Sequence, residues 1–344
     1  MPEISVLMAV YNGERFLRQA IESVLTQSFS NFEFIIVNDA STDSTIEILK
    51  EYQAADQRIR LLSNPENLGL SKSLNRGLEL ATGEFIVRMD ADDVCRQERF
   101  ATQLSWLKSK PELLVLGSNI QKIDENGSPL PTLPPPYNQA VMRWTSFFGQ
   151  QFVACHPTVM MRRALFSRFG GYAEIPTSQD LELWGRMMDL TPYPIENLSE
   201  VLLEYRIHSQ AISTKDGSLQ YQTSNGVRKI VIDKLIGRPV ALESIAAYRM
   251  SGEYPGIRQA IGDWVEIYSA FFRRFPADAE AVAAINSEFL QRLGRYIYFN
   301  PLTKDKVGRV SYYSMIDKLP PKMRGALLAN KRGITRHEEV LVEI

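Results

Sequence analysis

Asp90, Asp92 and Asp93 stand together directly after the apolar run Phe85 to Met89. On an extended backbone, carboxylates two residues apart project to the same side, about 6–7 Å apart. Three acidic groups packed this closely repel unless a cation bridges them. Hard divalent ions such as Mg²⁺ and Mn²⁺ take oxygen ligands and complete their shells with substrate phosphates. The competing reading is a solvated acidic loop that caps the next helix. Placement at the end of a strongly apolar strand favours the metal. Asp39 follows the run Phe34 to Asn38. Its carboxylate suits a hydrogen bond to a base or ribose, although Asp39, Ser41 and Asp43 also suit the cap of the following helix. Asp180 precedes an apolar helix face of Leu183, Trp184 and Met187. An acid in a first turn contributes about 0.3–1 kcal/mol, or it can serve as a general base.

The elements that must position these groups alternate. Ile4 to Val10 reads as a buried strand, and Glu14 to Thr26 as an amphipathic helix with its stripe at Phe16, Leu17, Ala20, Ile21, Val24 and Leu25. Phe32 to Val37, Ile59 to Leu62 and Phe85 to Met89 read as further strands. Helices carry Ile46, Leu49 and Tyr52, then Leu70, Leu74, Leu78 and Ala81, with Gly83 as the stop, then Phe100, Leu104 and Leu107. Strands alternating with helices predict an α/β fold with a mostly parallel, Rossmann-like sheet covered on both faces. Leu113 to Ile120 and Thr158 to Met161 add strands, Pro129 to Pro136 forms a loop, and a helix runs from about Asp180 to Met188. From about residue 215 helical stripes dominate. The division expected is 1–213 for a catalytic domain and 214–344 for a helical C-terminal extension. Ligands of an open parallel sheet bind beyond the carboxyl ends of its strands. The groups after the first, second and fourth strands therefore face one crevice.

Composition narrows the class. The chain has 344 residues, a formal net charge of −1 and ordinary apolar and charged fractions of 44 % and 23 %. Nothing in that balance suits a nucleic-acid partner. Two cysteines and three histidines form neither a zinc spacing nor a disulfide framework. Free thiols fit a reducing cytoplasm, the expected location. The sequence runs from Pro2-Glu3 straight into a strand pattern, so no signal peptide is expected, and no apolar run reaches the roughly 20 residues of a membrane span. A basic and apolar C-terminal tail, with Lys304, Lys306, Arg309, Lys318, Lys322, Arg324, Lys331 and Arg332, fits either a solvated face or peripheral contact with an anionic membrane. The absence of GxGxxG after the first strand argues against a dinucleotide.

Taken in order, the motifs resemble the family 2 glycosyltransferases, inverting nucleotide-sugar enzymes with a GT-A fold. The matching text is Val10-Tyr11-Asn12-Gly13, Val37-Asn38-Asp39-Ala40-Ser41, Gly69-Leu70-Ser71 with Asn75-Arg76-Gly77, Ala81-Thr82-Gly83 ahead of Asp90-Ala91-Asp92-Asp93, His156-Pro157-Thr158 with Arg162-Arg163, Gln179-Asp180 with Leu183-Trp184, and Tyr205-Arg206-Ile207-His208. It covers about residues 3 to 213. The resemblance implies that Asp39 contacts uracil beside the Ala9 to Tyr11 backbone and Asn12. It further implies that Asp90 lies near the ribose or metal, that Asp92 ligates the metal, that His208 contacts either the metal or the phosphate, and that Asp180 is the catalytic base. His156 is read as ordering the acceptor side. Two departures stand out. Gln179 occupies a position where the family commonly has Glu, and Leu74 stands where many members have Arg. That leaves the diphosphate to Lys72, Arg88 or the metal.

The expectation is therefore a Mn²⁺- or Mg²⁺-dependent transfer of sugar from a UDP-sugar to a hydroxyl of a glycan or lipid-linked acceptor in surface polysaccharide synthesis. Two alternatives stay open. A nucleotidyltransferase on a similar sheet would need a phosphate loop rich in Gly and Arg or Lys, which Ala9 to Arg15 does not supply. A non-catalytic sugar-nucleotide or glycan-binding module would not need every acidic position.

Overall fold

In the computed structural model of the chain, residues 1–148, 153–211, 217–249, 257–299 and four positions between 319 and 324 are described. The basic tail positions, apart from Arg324, lie outside the described residues. The chain divides into two compact units, Met1–Gln139 with Phe152–Ser224, and Ala140–Gln151 with Asn225–Ile344.

The first unit carries an eight-stranded sheet in the order β3-β2-β1-β4-β7-β6-β8-β5. These strands are β1 (Ile4–Val10), β2 (Phe32–Asn38), β3 (Ile59–Ser63), β4 (Phe85–Met89), β5 (Val94–Cys95), β6 (Val115–Ile123), β7 (Met160–Arg162) and β8 (Ile195–Arg206). β1 to β4 are parallel, as expected of strands joined by helices α1 (Leu17–Leu25), α2 (Thr45–Ala55) and α3 (Leu70–Leu80). Helix α4 (Arg99–Ser109) returns from β5 to β6. The strand β7 is antiparallel to both β4 and β6, so the sheet is mixed. Every residue of β2 and β4 is buried, as expected of strands covered on both faces. Register sets the site: Val10 lies opposite Asn38 and Met8 opposite Met89. The loops that follow β1, β2 and β4 therefore leave the sheet side by side.

Several local expectations shift. The first helix begins at Leu17 rather than Glu14, because Gly13 O accepts from both Phe16 N and Leu17 N and makes a turn first. Helix α3 ends at Leu80, before Gly83. Gly83 serves a packing role instead: a Cβ there would lie 2.7 Å from both Ile4 C and Ser5 N, backbone atoms that cannot swing aside. Gly83→Ala is therefore expected to destabilise the protein by about 1–3 kcal/mol. Chemical unfolding checks this, and unchanged stability would show that β1 can shift to make room.

The sequence pattern does not reveal β8. It pairs in parallel with β6 through a register shift in which Ser118 faces Leu198 and Asn119 faces Val201. Ser199 and Glu200 are left over in that bulge, which breaks the alternation a strand normally shows.

The second unit is helical. It contains α5 (Gln139–Phe148), most of α8 (Gly217–Ile236), α9 (Leu242–Arg249), α10 (Ile257–Arg274) and α11 (Ala279–Phe299). Its core centres on Trp144, fully buried against the rings of Tyr268, Phe271 and Phe289, with Nε1 donating to Glu288 Oε2 at 2.7 Å. Trp144 sits far upstream of the C-terminal helices in sequence, so α5 groups with them although composition places it in the first domain. Two short helices, α6 (Ala164–Phe169) and α7 (Gln179–Arg186), belong to the first unit.

Candidate active site

At the carboxyl end of the parallel strands the ligand atoms of Asp90, Asp92 and Asp93 all lie within 4.8 Å of one another. The cluster fits a hard divalent cation on its donor chemistry. One further observation supports it. Asp93 is 1 % exposed, and its Oδ2 has no hydrogen-bond partner among the described residues. Burial and the neighbouring Asp92 and Asp90 charges push its carboxyl well above the ordinary range. Burial also raises Asp90, against the pull of Arg88. A bridging cation would relieve both. The sequence assigns Asp90 and Asp92 as ligands and includes Asp93 only as a member of the acidic cluster. The signal was present in the third acidic residue, whose direction only the bend into β5 decides.

Arg206 holds this loop to β8. Its N–H donates to Asp93 Oδ1 (2.9 Å) and its Nε to Asp92 O (2.8 Å). Its Nη1 reaches Asp124 O at 3.1 Å, and its Nη2 reaches Gln19 Oε1 at 2.7 Å. The guanidinium lies over Phe16, whose ring in turn contacts His208. Two residues beyond Arg206's anchor, His208 Nε2 meets Asp92 Oδ2 at 2.8 Å. The structure thus brings together the two residues, Asp92 and His208, that the sequence assigns to the metal or phosphate.

Arg88 lies one residue before the carboxyl end of β4, 1 % exposed, and its Nη2 pairs with Asp90 Oδ1. Burial opposes its charge and Asp90 restores it. Arg88 Nε has no hydrogen-bond partner among the described residues. Arg88, Asp90, Asp92, His156 and Asp180 line one cavity together with Cys155, Thr177 and Tyr205. Asp180 sits in the first turn of α7, behind Ser178, whose φ of 62° is left-handed. Burial raises the Asp180 carboxyl, only partly offset by backbone N–H groups and Arg88. Glu182, the neighbouring acid, pairs with Arg186 and does not line the cavity.

Asp39 is buried and fully engaged. Asn64 Nδ2 and Leu68 N donate to its Oδ1 at 2.6 and 2.8 Å, and Gly69 N donates to Oδ2 at 2.9 Å. It ties β2 to the start of α3 and does not cap α2. The capping falls to Asp43, whose Oδ1 accepts from Thr45 N at 3.0 Å. Asn12, at φ 51°, joins the first two loops: its Oδ1 accepts from Thr42 N at 2.8 Å, and its N donates to Ser41 Oγ at 3.0 Å. Tyr11 is exposed beside it and Ala9 is partly buried. Lys72 stands apart. It is exposed, faces Glu174 at 3.6 Å and does not line the cavity.

The mixed sheet, with acidic, basic and imidazole side chains gathered at its carboxyl end, has the architecture of the GT-A fold. The model of the family described as "Glycosyl transferase family 2" matches residues 5–170. EpsE of Bacillus subtilis (strain 168), described as a glycosyltransferase, is 35 % identical over 234 residues, covering 66 % of this chain and 80 % of that protein. The O-antigen biosynthesis glycosyltransferase WbnJ of Escherichia coli is 32 % identical over 220 residues, covering 63 % of this chain and 84 % of WbnJ. Among solved structures, S. aureus TarS 1-349 in complex with UDP has a similar fold, with a TM-score of 0.52 at 17 % identity over 96 % of this chain and 91 % of that one. The chain belongs to glycosyltransferase family 2.

Proposed function

We propose that this glycosyltransferase moves a sugar from a UDP-sugar onto a hydroxyl of a glycan or lipid-linked glycan, with inversion at the anomeric carbon, in surface polysaccharide synthesis. The observation that carries the reading is the convergence of Asp90, Asp92, Arg88 and Asp180 on one cavity. Support for the nucleotide comes from UDP in the TarS structure, and support for the biosynthetic setting from the O-antigen role in WbnJ's name. Residues 1–213 are the catalytic part, apart from α5, which groups with the helices of the 214–344 extension.

In this reading Asp92, Asp90 and His208 hold a Mn²⁺ or Mg²⁺ ion, with Asp93 as a further oxygen donor. Such an ion, when bound, neutralises the charge of the departing diphosphate. Arg88 adds a fixed cation at the same end of the cavity, where low dielectric strengthens it. The loop around Ala9, Tyr11 and Asn12, with Asp39 behind it, receives the nucleoside. Asp39 also orders that loop wall through its three internal hydrogen bonds. Asp180 accepts the proton of the attacking hydroxyl, and its raised basicity suits that role. Lys72 contributes at the rim only if it exchanges Glu174 for phosphate.

A nucleotide-release assay over a panel of UDP-, GDP- and dTDP-sugars tests the proposal. Turnover is expected with a UDP-sugar and to be at least about tenfold lower with the others, the discrimination of roughly 1.4 kcal/mol that one base contact provides. Preference for a GDP-sugar would overturn the uracil assignment. A protein that binds UDP but releases none from any donor is a binding module.

A further inference from the structure

His156 lines the same cavity as Asp180 and Arg88 and is 8 % exposed. Its ring is held on two sides, edge-on to Tyr172 at 5.3 Å and to Trp184 at 6.5 Å between centroids. Nε2 lies 2.9 Å from Tyr172 Oη. Among the described residues Nδ1 has no partner, and the atom is not sealed away from solvent. It is therefore the ring atom free to meet a ligand, on a residue that lines the cavity. Tyr172 in turn is 3 % exposed and clamped from behind. Its N donates to Asn75 Oδ1 and its O accepts from Asn75 Nδ2, both at 2.8 Å. A Cβ on Gly171 would come within 2.5 Å of Asn75 Oδ1, so the clamp needs glycine there.

The chemistry of this pair fixes a proton. Burial and the Arg88 charge both push the His156 imidazole well below its ordinary range, so the ring is neutral. Burial pushes the Tyr172 phenol up, so it keeps its O–H. Among the described residues the only hydrogen-bond partner of that O–H is Nε2. If Nε2 carried the imidazole proton, the buried phenol would be left without an acceptor, the costlier arrangement. The phenol therefore donates to Nε2, and the imidazole proton sits on Nδ1. We infer that His156 presents an uncharged Nδ1–H donor to an oxygen of the bound nucleotide-sugar, with Tyr172 and Asn75 as the residues that set its tautomer and angle. The ligand named here rests on the nucleotide-sugar reading above. An uncharged donor suits this spot, since it adds hydrogen-bond direction beside Arg88 without a second buried cation. The oxygen belongs either to the sugar or to the diphosphate.

Nitrogen NMR of the ¹⁵N-histidine-labelled protein, with His156→Phe used for assignment, reads the tautomer directly. A protonated Nδ1 and bare Nε2 at neutral pH are expected, with a shift toward Nε2–H in Tyr172→Phe. A wild-type Nε2–H form or an imidazolium overturns the inference. Calorimetry with UDP and with UDP-GlcNAc, each with Mn²⁺, then locates the oxygen. Both His156→Phe and Tyr172→Phe are expected to weaken binding about 3- to 10-fold. Equal loss for both ligands places the contact on the diphosphate, and loss for UDP-GlcNAc alone places it on the sugar. Thermal melting shows which variants fold. Folded variants that bind both ligands as wild type does overturn this inference alone. Wild-type protein that binds neither UDP nor GDP instead sinks the nucleotide-sugar reading, and the oxygen assignment with it.

Discussion

Asp180→Asn is expected to yield a folded protein with near-normal UDP affinity and a transfer rate at least about 100-fold lower, the usual scale for losing a general base. The amide keeps the shape and can still accept hydrogen bonds from the first-turn N–H groups, but it cannot take the proton of the attacking hydroxyl. If Asp180 only stabilises α7, the variant turns over nearly normally and loses a little stability. The pH dependence separates the cases further. The Asp180 carboxyl is raised in the folded state, chiefly by burial. A raised acid binds its proton more tightly folded than unfolded, so stability from this site is present at low pH and is lost as pH rises through that window. At neutral pH the ionised group therefore opposes folding, and Asn should leave the melting temperature unchanged or higher. Wild-type activity should fall on the acid side, through an apparent pKa above the ordinary Asp value, and the Asn variant's residual activity should lack that limb. Full activity in Asp180→Asn with a dead Glu182→Gln would show the base to be misplaced, although Glu182 is held by Arg186.

Asp92→Ala is expected to lose divalent-cation binding and, with it, most turnover. The residue contributes both a carboxylate to the acidic cluster and the partner of His208 Nε2. A metal's stabilisation of the transition state amounts to several kcal/mol, and each 1.36 kcal/mol is worth tenfold, so a fall of about 100-fold or more follows. UDP affinity measured by calorimetry should depend steeply on Mn²⁺ in the wild type and hardly at all in the variant. A direct readout is Mn²⁺ binding followed by electron paramagnetic resonance in the absence of nucleotide or turnover. Equal UDP affinity in chelator and in Mn²⁺ for the wild type would sink the metal assignment. His208→Ala is expected to show a milder form of the same defect, because Asp90, Asp92 and Asp93 all remain.

The sequence by itself determined which elements form around the first four strands and which end of the sheet carries chemistry. These features are local. Ile4 to Val10 is a strand because it is short, apolar and bounded by Tyr11-Asn12-Gly13, and the motifs that follow each strand travel with it. The acidic cluster was likewise legible, since its members are adjacent in the chain. Tertiary structure decided the rest, because those features depend on partners far away in sequence. β8 is a strand through its pairing with β6 and β5, both distant in sequence, and its bulge at Ser199-Glu200 erases the periodic signal. Helix α5 joins the second unit because Trp144 finds its aromatic neighbours more than a hundred residues downstream. Asp39 is a structural acceptor because Leu68 and Gly69 turn their N–H groups onto it. His156 carries no sign in sequence of which nitrogen holds its proton. Tyr172 settles that, through a clamp from Asn75 that only the packing of α3 against the 171–172 segment creates. Side-chain type sets what a residue can do; burial and the groups facing it, which sequence spacing does not encode, set its charge, its proton and its direction.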